Sequence, residues 1–205
     1  MHDDHTFADT CATSATLLIR IRPDKAGREL AWAEFHRRYA PMITGFARRV
    51  GAKPHDVDDV VQDVMLGFYA ASPKFSYDPN KGRFRSFLKV CTCRALAKRV
   101  GKNAKFRGVR IDEINPESME VEQEWTKTWD DELLRRALDE THKQYSATEA
   151  MQRTYRAFEL YVLKERSADD VANELGISRD SVHQAKHRVT EALRKIHESM
   201  REEEG

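Results

Sequence analysis

Side chains that can contact nucleic acid are concentrated between positions 179 and 188. Glutamine and arginine can hydrogen-bond to base edges, whereas lysine and arginine can hold phosphates. The candidate contact set is Arg179, Asp180, Ser181, His183, Gln184, Lys186, His187 and Arg188. His183 and His187 also have the spacing of a zinc-binding pair, but a metalloprotease helix requires glutamate directly after the first histidine. Because Gln184 stands there, the pattern favours nucleic-acid contact over a metal site.

A second candidate set combines aromatic rings with cations between positions 75 and 99. Bases of single-stranded nucleic acid stack on such rings while phosphates lie on the cations. The set is Phe75, Tyr77, Lys81, Arg83, Arg85, Lys89, Arg94, Lys98 and Arg99, and no acidic residue occurs from Lys81 to Arg110. The alternative is that Phe84, Phe87 and Leu88 fill a core. We expect both uses, with some rings packed inward and the cations turned to nucleic acid.

Carboxylates are concentrated in the segment 56–69, where an acidic stripe lies opposite a valine-rich stripe at helical spacing. The candidate set is Asp56, Asp59, Gln62 and Asp63. It fits a solvated acidic face, which is favourable near a helix N-terminus, or a docking surface for a basic partner. A magnesium site would require a second acidic cluster across an apolar cavity, and no such cluster is evident. The residues alone leave these three interpretations open.

The spacing of residues 167–196 predicts a helix-turn-helix, the element that would position the first candidate set. Ser167 and Asp170 fit a capping box at the start of a short helix. Gly176 can adopt the positive φ that a tight turn requires, and Ser178 can cap a second helix. Apolar residues then recur at helical spacing at Val182, Ala185, Val189, Ala192, Leu193 and Ile196. A second helix held in this way can enter the major groove of DNA.

Long amphipathic segments with few glycines and prolines predict an all-α protein. Helices are expected over 29–50, 56–71, 83–100, 131–142 and 147–163, with a short one around Leu17. The net charge of +1 conceals an acidic segment over 112–132, which contains Pro116 and shows little periodicity. That segment predicts an extended linker. The expected organisation is two helical bundle domains (1–108 and 131–205) joined by an acidic linker (109–130).

Several classes of protein are disfavoured. No apolar run is long enough to span a membrane, and Asp3 and Asp4 argue against a signal peptide, so a cytosolic protein is expected. The three cysteines lack C-x-x-C spacing, which argues against a disulfide framework. Cys91 and Cys93 are expected to be small, partly buried helix residues rather than metal ligands. No cofactor is predicted.

Four motifs, in this order, resemble a bacterial sigma-70 family factor of the extracytoplasmic function (ECF) type. WAEFHRRYAPMITGFARR (32–49) and DVDDVVQDVMLGFY (56–69) resemble the start and the acidic helix of the sigma-two domain. YDPNKGRFRSFLKVCTCRALAKR (77–99) resembles its promoter-melting segment. The pattern A-x-E-L-G-I-S…S-V…A-K-x-R-V (172–189) resembles the helix-turn-helix of the sigma-four domain.

The resemblance implies a transcription initiation factor, not itself an enzyme, that brings core RNA polymerase to promoters. The acidic set would dock on the β′ clamp helices, which favours docking over magnesium. The aromatic and basic set would capture the melted minus-ten strand, the helix-turn-helix would read the duplex minus-thirty-five element, and the preceding region would pack on the β flap. The acidic linker would run toward the RNA exit path, and an anti-sigma partner is left open. The alternative is a stand-alone helix-turn-helix regulator, which would have no use for the aromatic and basic set.

Overall fold

The computed structural model describes residues 14–22, 24–73, 84–99, 105–106, 109–110 and 113–204. Its helices are α1 (Ser14–Arg20), α2 (Arg28–Arg49), α3 (Pro54–Ala71), α4 (Phe84–Arg99), α5 (Met119–Tyr145), α6 (Glu149–Phe158), α7 (Ala168–Leu175) and α8 (Arg179–Glu204). A π-helical turn (Glu159–Leu163) follows α6. The predicted all-α class is confirmed, with two-residue strands β1 (Lys105–Phe106) and β2 (Val109–Arg110) forming an antiparallel ladder.

The helices form two compact units. Of the described residues, those up to Glu132 together with Glu203 and Glu204 form the first, and Leu133–Glu202 form the second. The bounds of α2, α3 and α4 lie within two residues of those predicted from the apolar spacing. No helix in the part of the chain that the structure describes is long and apolar enough to cross a membrane.

An aromatic core holds the first unit together. Phe35 of α2 stacks on Phe68 of α3 with ring centroids 4.9 Å apart, and Phe84 of α4 meets Phe35 edge-on at 5.9 Å. All three rings are buried. Aromatic pairs in these arrangements add to the free energy gained from burying their surface. The core therefore fixes α3, with its carboxylates, beside α4, with its cations.

The prediction of an extended acidic linker over 109–130 is wrong for residues 119–130, which belong to α5. Val121, Trp125 and Trp129 recur every four residues and are buried in the first core. Trp125 meets Phe46 of α2 edge-on with ring centroids 5.0 Å apart. The charge composition of the segment does not reveal this apolar stripe, because the glutamates between its members lie on the other sides of the same helix.

The second unit is built on α6, the π-helical turn, α7 and α8. Its main core contains small and branched residues: Ala157, Leu160, Ala168, Val171, Ala172, Val182 and Ala185. A second cluster joins Leu133 and Ala137 of α5 to Met200 of α8. Alanines at the crossings allow helices to pack closely, as the predicted helix pair requires.

Candidate nucleic-acid interface

The turn between α7 and α8 has the geometry predicted from its sequence. The Ser167 hydroxyl accepts a hydrogen bond from the Asp170 backbone N–H at 3.1 Å and caps α7. Gly176 adopts the left-handed conformation at φ 62°, which favours glycine. The Ser178 hydroxyl accepts a hydrogen bond from the Ser181 backbone N–H at 3.1 Å at the start of α8. These three residues fix the start and the end of α7 and the start of α8.

The first candidate set lies on the surface of α8. Val182, Ala185 and Val189 turn inward and are buried. The exposed members are Arg179, Asp180, His183, Gln184, Lys186, His187 and Arg188, and Ser181 is half-buried. The expected division of this helix into a buried stripe and a polar face is confirmed. The polar face therefore places on one helix the side-chain types that can hydrogen-bond to base edges and hold phosphates.

Tyr161, in the π-helical turn, belongs to this surface and was missed by the sequence analysis. Its ring centroid lies 5.4 Å from that of His183, and the Lys186 ammonium lies 5.6 Å from it. The only signal in the sequence was a tyrosine next to the buried Leu160. Because the π-helical turn adds a residue, the 3.6-residue spacing does not predict where this side chain points.

The second candidate set is divided between two sides of α4. Phe87, Arg94 and Lys98 are seven and four residues apart and are exposed on one side. Phe87 is 38% exposed, while one side of its ring packs against Phe84 at 6.0 Å. Phe75, Tyr77, Lys81 and Arg83 lie outside the described residues. One aromatic ring and two cations therefore share an accessible helical face.

Arg85 and Lys89 lie on the opposite side of α4, where they contact α5. Lys89 is buried and forms an ion pair with Glu122. The Arg85 guanidinium donates a hydrogen bond to the Thr126 hydroxyl and lies 5.4 Å from the Trp129 ring. The structure therefore does not bring these two cations together with Arg94 and Lys98. The apolar stripe of Val121, Trp125 and Trp129 was the sequence signal that could have predicted a helix packed against this side of α4.

The acidic set of α3 is also divided. Asp59 and Gln62 are exposed, whereas Asp56 and Asp63 are half-buried. Asp63 accepts hydrogen bonds from Arg99 at 2.6 and 2.7 Å and from Lys98 at 3.3 Å. These bonds, led by the one from Arg99, lower the pKa of Asp63 to about 2. Carboxylates and cations assigned to separate sets thus meet between α3 and α4.

Apolar residues extend the exposed face of α3 beyond its carboxylates. Leu66 is 58% exposed and Tyr69 46% exposed. They line a groove of about 550 Å³ beside α2, together with Trp32 and Met65. Arg28 also lines this groove, and its guanidinium lies 4.3 Å from the Tyr69 ring and donates a hydrogen bond to the Tyr69 hydroxyl at 3.0 Å.

Potential metal ligands and the two cysteines of α4 were also located in the described part of the chain. No group of three or more potential ligands among histidine, cysteine, aspartate and glutamate occurs there. Cys91 is half-buried and Cys93 is buried, in agreement with the predicted helix positions. Burial raises the pKa of the Cys93 thiol to about 12, so it stays protonated and unreactive at neutral pH.

Comparison with known proteins bears directly on the first unit. Residues 35–106 match the family model described as Sigma-70 region 2, a stretch that contains most of α2, all of α3 and α4, and β1. Searches of curated proteins and of solved structures gave no match. A region 2 domain supports a sigma-factor role in transcription initiation and implies binding to core RNA polymerase and promoter DNA. The match over residues 35–106 therefore supports the interpretation of this chain as a sigma-70 family member.

Proposed function

We propose that the protein is a transcription initiation factor of the ECF type, which binds core RNA polymerase and directs it to specific promoters. The observation that carries the proposal is the region 2 match, which covers the acidic α3 and the basic α4 together. A stand-alone DNA-binding regulator would need only the second unit. In this role the chain would act through binding free energy rather than through catalysis.

The first unit would hold the melted minus-ten strand on α4. The exposed part of the Phe87 ring offers a surface for an unpaired base, and Arg94 and Lys98 follow on the same side of α4 to take phosphates. Phe75, Tyr77, Lys81 and Arg83 remain candidates from the sequence. Arg85 and Lys89 are weaker candidates, because α5 already engages them. Trapping unpaired bases on protein offsets the unstacking free energy of about a few kcal/mol per base.

Core polymerase would dock on α3. Asp59 and Gln62 are exposed on this helix, and Leu66 and Tyr69 continue the same exposed side. A rigid surface that combines carboxylates with apolar side chains suits a basic, amphipathic partner. Asp56 and Asp63 contribute negative charge beside this surface. The β′ clamp helices are the partner that the sigma-family resemblance implies, with the β flap contacted by the second unit.

The second unit would read the duplex minus-thirty-five element through α8. The capped turn at Gly176 holds α8 in place, and the exposed face of α8 carries Gln184 for base edges and Lys186 and Arg188 for phosphates. Two DNA-contacting modules on one chain gain affinity because binding of the first raises the effective concentration of the second.

Run-off transcription tests the proposal. Core polymerase would be combined with the full chain and fragmented genomic DNA of the source organism, and the 5′ ends of the transcripts would be mapped. We expect new start sites that share two upstream elements, one melted and one duplex. Transcripts identical to those of core polymerase alone, from protein that is folded and binds DNA, would favour the stand-alone regulator.

A further inference from the structure

The Tyr161 ring lies beside two residues of the exposed polar face of α8, which we propose reads duplex DNA. The His183 ring meets it edge-on at 5.4 Å with an interplanar angle of 83°, and the Lys186 ammonium lies 5.6 Å from its centroid. His183 and Lys186 are three residues apart, so they lie on the same side of α8. Both belong to the candidate contact set, whereas Tyr161 comes from a separate element.

The Tyr161 ring is held from behind by the core of the second unit. Tyr161 packs on the cluster that contains Leu160, which is 4% exposed, and is itself half-buried. The Lys164 backbone N–H donates to the Glu159 carbonyl at 2.9 Å, five residues back, which defines the π-helical turn. Such turns occur frequently at functional sites. The ring is therefore a fixed support, while the lysine beside it is a flexible side chain.

A fixed ring next to a flexible cation lowers the entropy cost of binding DNA. A lysine side chain loses much of its rotamer freedom when it is held against a phosphate. A cation already held beside an aromatic ring has lost part of that freedom before binding, so the loss on binding is smaller.

We propose that Tyr161 is a positioning residue of the duplex-reading surface, whose ring orients Lys186 and His183 before DNA arrives. This inference rests on the proposed duplex recognition by α8. Because cations supply nearly all of the free energy of sequence-independent DNA binding, the effect of Tyr161 on a random-sequence duplex runs through Lys186. Removing the ring should therefore weaken that binding only while Lys186 is present.

Binding of the full chain to a fluorescent random-sequence duplex measures this role by anisotropy. A cation–π contact at an exposed site corresponds to roughly a two- to five-fold change in an equilibrium constant. Tyr161→Leu should weaken binding by that factor, whereas Tyr161→Phe, which keeps the ring, should bind as wild type does. In a Lys186→Ala background, Tyr161→Leu should cause no further loss. The matched control combines Tyr161→Leu with Lys195→Ala, which removes a cation on the same helix away from Tyr161. In that background, Tyr161→Leu should weaken binding as much as it does alone.

Two results would overturn the positioning role while duplex binding stands. One is wild-type affinity in folded Tyr161→Leu; the other is an equal loss with and without Lys186, which indicates damage to the core. A chain that binds no duplex at all would overturn the proposed function and the inference with it.

Proton NMR of the wild-type chain keeps the inference testable if Tyr161→Leu fails to fold. The ring current of Tyr161 should shift the ε-methylene protons of Lys186 upfield, with the signal assigned by its absence from Lys186→Ala. Those protons at the position of a solvated lysine would overturn the inference. An upfield shift in a chain that binds no duplex would locate the failure in the proposed function rather than in the contact.

Discussion

Individual side chains of α8 differ in what they can contribute to DNA binding. Lys186 and Arg188 are exposed cations, and each phosphate that they neutralise releases condensed counterions from the duplex. Gln184, which lies 3.5 Å from the Arg188 guanidinium, carries no charge and can discriminate only by hydrogen bonding to a base edge. Substitution of Lys186 or Arg188 should therefore change mainly the salt dependence of DNA binding, whereas substitution of Gln184 should change mainly its sequence preference.

Lys186→Ala and Arg188→Ala should each reduce the salt slope of duplex binding by about one. The loss of affinity should be similar on all sequences, because phosphate contacts carry no sequence information. The measurement is the binding constant over a salt series, with Lys195→Ala as the control for removing a charge elsewhere on α8. A slope unchanged from wild type would show that neither side chain neutralises a phosphate.

Asp63 illustrates what spacing along one helix cannot reveal. Helical periodicity predicts which side of α3 a residue occupies, but the partner that turns it inward, Arg99, lies thirty-six residues later on α4. Asp59 forms only a longer contact with the same arginine, at 3.5 Å, and both Asp59 and Gln62 remain exposed. The acidic set was therefore found from its sequence, while its division into an outward and an inward part required the tertiary fold.

The Asp63–Arg99 pair should make the stability of the first unit depend on pH. The folded pKa of Asp63, about 2, lies below its unfolded value of about 4, so the stabilisation is full above that value and declines as pH falls toward 2. The difference in unfolding free energy between wild type and Asp63→Asn, measured in urea, should narrow as pH falls from about 5 to 3. Asp58→Asn, an exposed carboxylate on the same helix, is the control. A difference that stays constant over this range would contradict the pairing.

Among the helices, those with strong apolar periodicity are predicted well from the sequence, whereas the first half of α5 is not. Helices with strong apolar periodicity, such as α2 and α3, were placed to within two residues. Residues 119–130 carry enough glutamate to resemble a linker, although Val121, Trp125 and Trp129 form a stripe. Charge composition reflects solvation averaged over a segment, whereas packing depends on the few residues that face the core. The caps at Ser167 and Gly176 were predictable, because they depend on local chemistry alone.

Close packing of α5 on α2 depends on Gly45. A Cβ added there would lie 2.9 Å from Cγ2 of Thr128, which is itself buried. Gly45→Ala should destabilise the first unit, since overpacking costs about 1–3 kcal/mol and exceeds the gain in helix propensity of about 1 kcal/mol. Thr128→Ser, which removes that methyl group, should restore stability in the double variant. All three tryptophans, Trp32, Trp125 and Trp129, belong to this unit, so denaturation followed by tryptophan fluorescence measures the effect.

Gly67→Ala is the matched control for this packing. Gly67 lies within α3, and a Cβ added there meets nothing within 4 Å. This substitution should stabilise the same unit by up to about 1 kcal/mol through helix propensity alone. Equal effects of the two glycine substitutions would contradict the close approach of α2 and α5.

Across the whole molecule, a net charge of +1 is the sum of strongly segregated surfaces. The first unit carries exposed cations on α4 and exposed carboxylates on α3, and the second carries the polar face of α8. Such an arrangement suits a protein that must bind a polyanion and a basic protein surface at the same time. Docking on polymerase and binding of DNA should accordingly be separable by substitution.

Asp59→Lys tests that separation. Asp59 is exposed on α3, and a lysine there would place like charges against a basic partner, which costs several kcal/mol at an interface. Co-purification with core polymerase should fall at least about ten-fold, while binding of the isolated chain to duplex DNA stays at the wild-type level. Asp63 is left unchanged because it forms the closer bonds to Arg99 and Lys98, whereas Asp59→Lys removes only the 3.5 Å contact with Arg99.

Asp24→Lys makes the same charge reversal at an exposed turn between α1 and α2 and should leave co-purification intact. Run-off transcription in the same extracts should follow co-purification, because promoter recognition without docking produces no transcript. Wild-type association of Asp59→Lys would place the polymerase-binding surface away from the acidic side of α3. Equal losses in both variants would instead mean that polymerase responds to overall charge rather than to this helix.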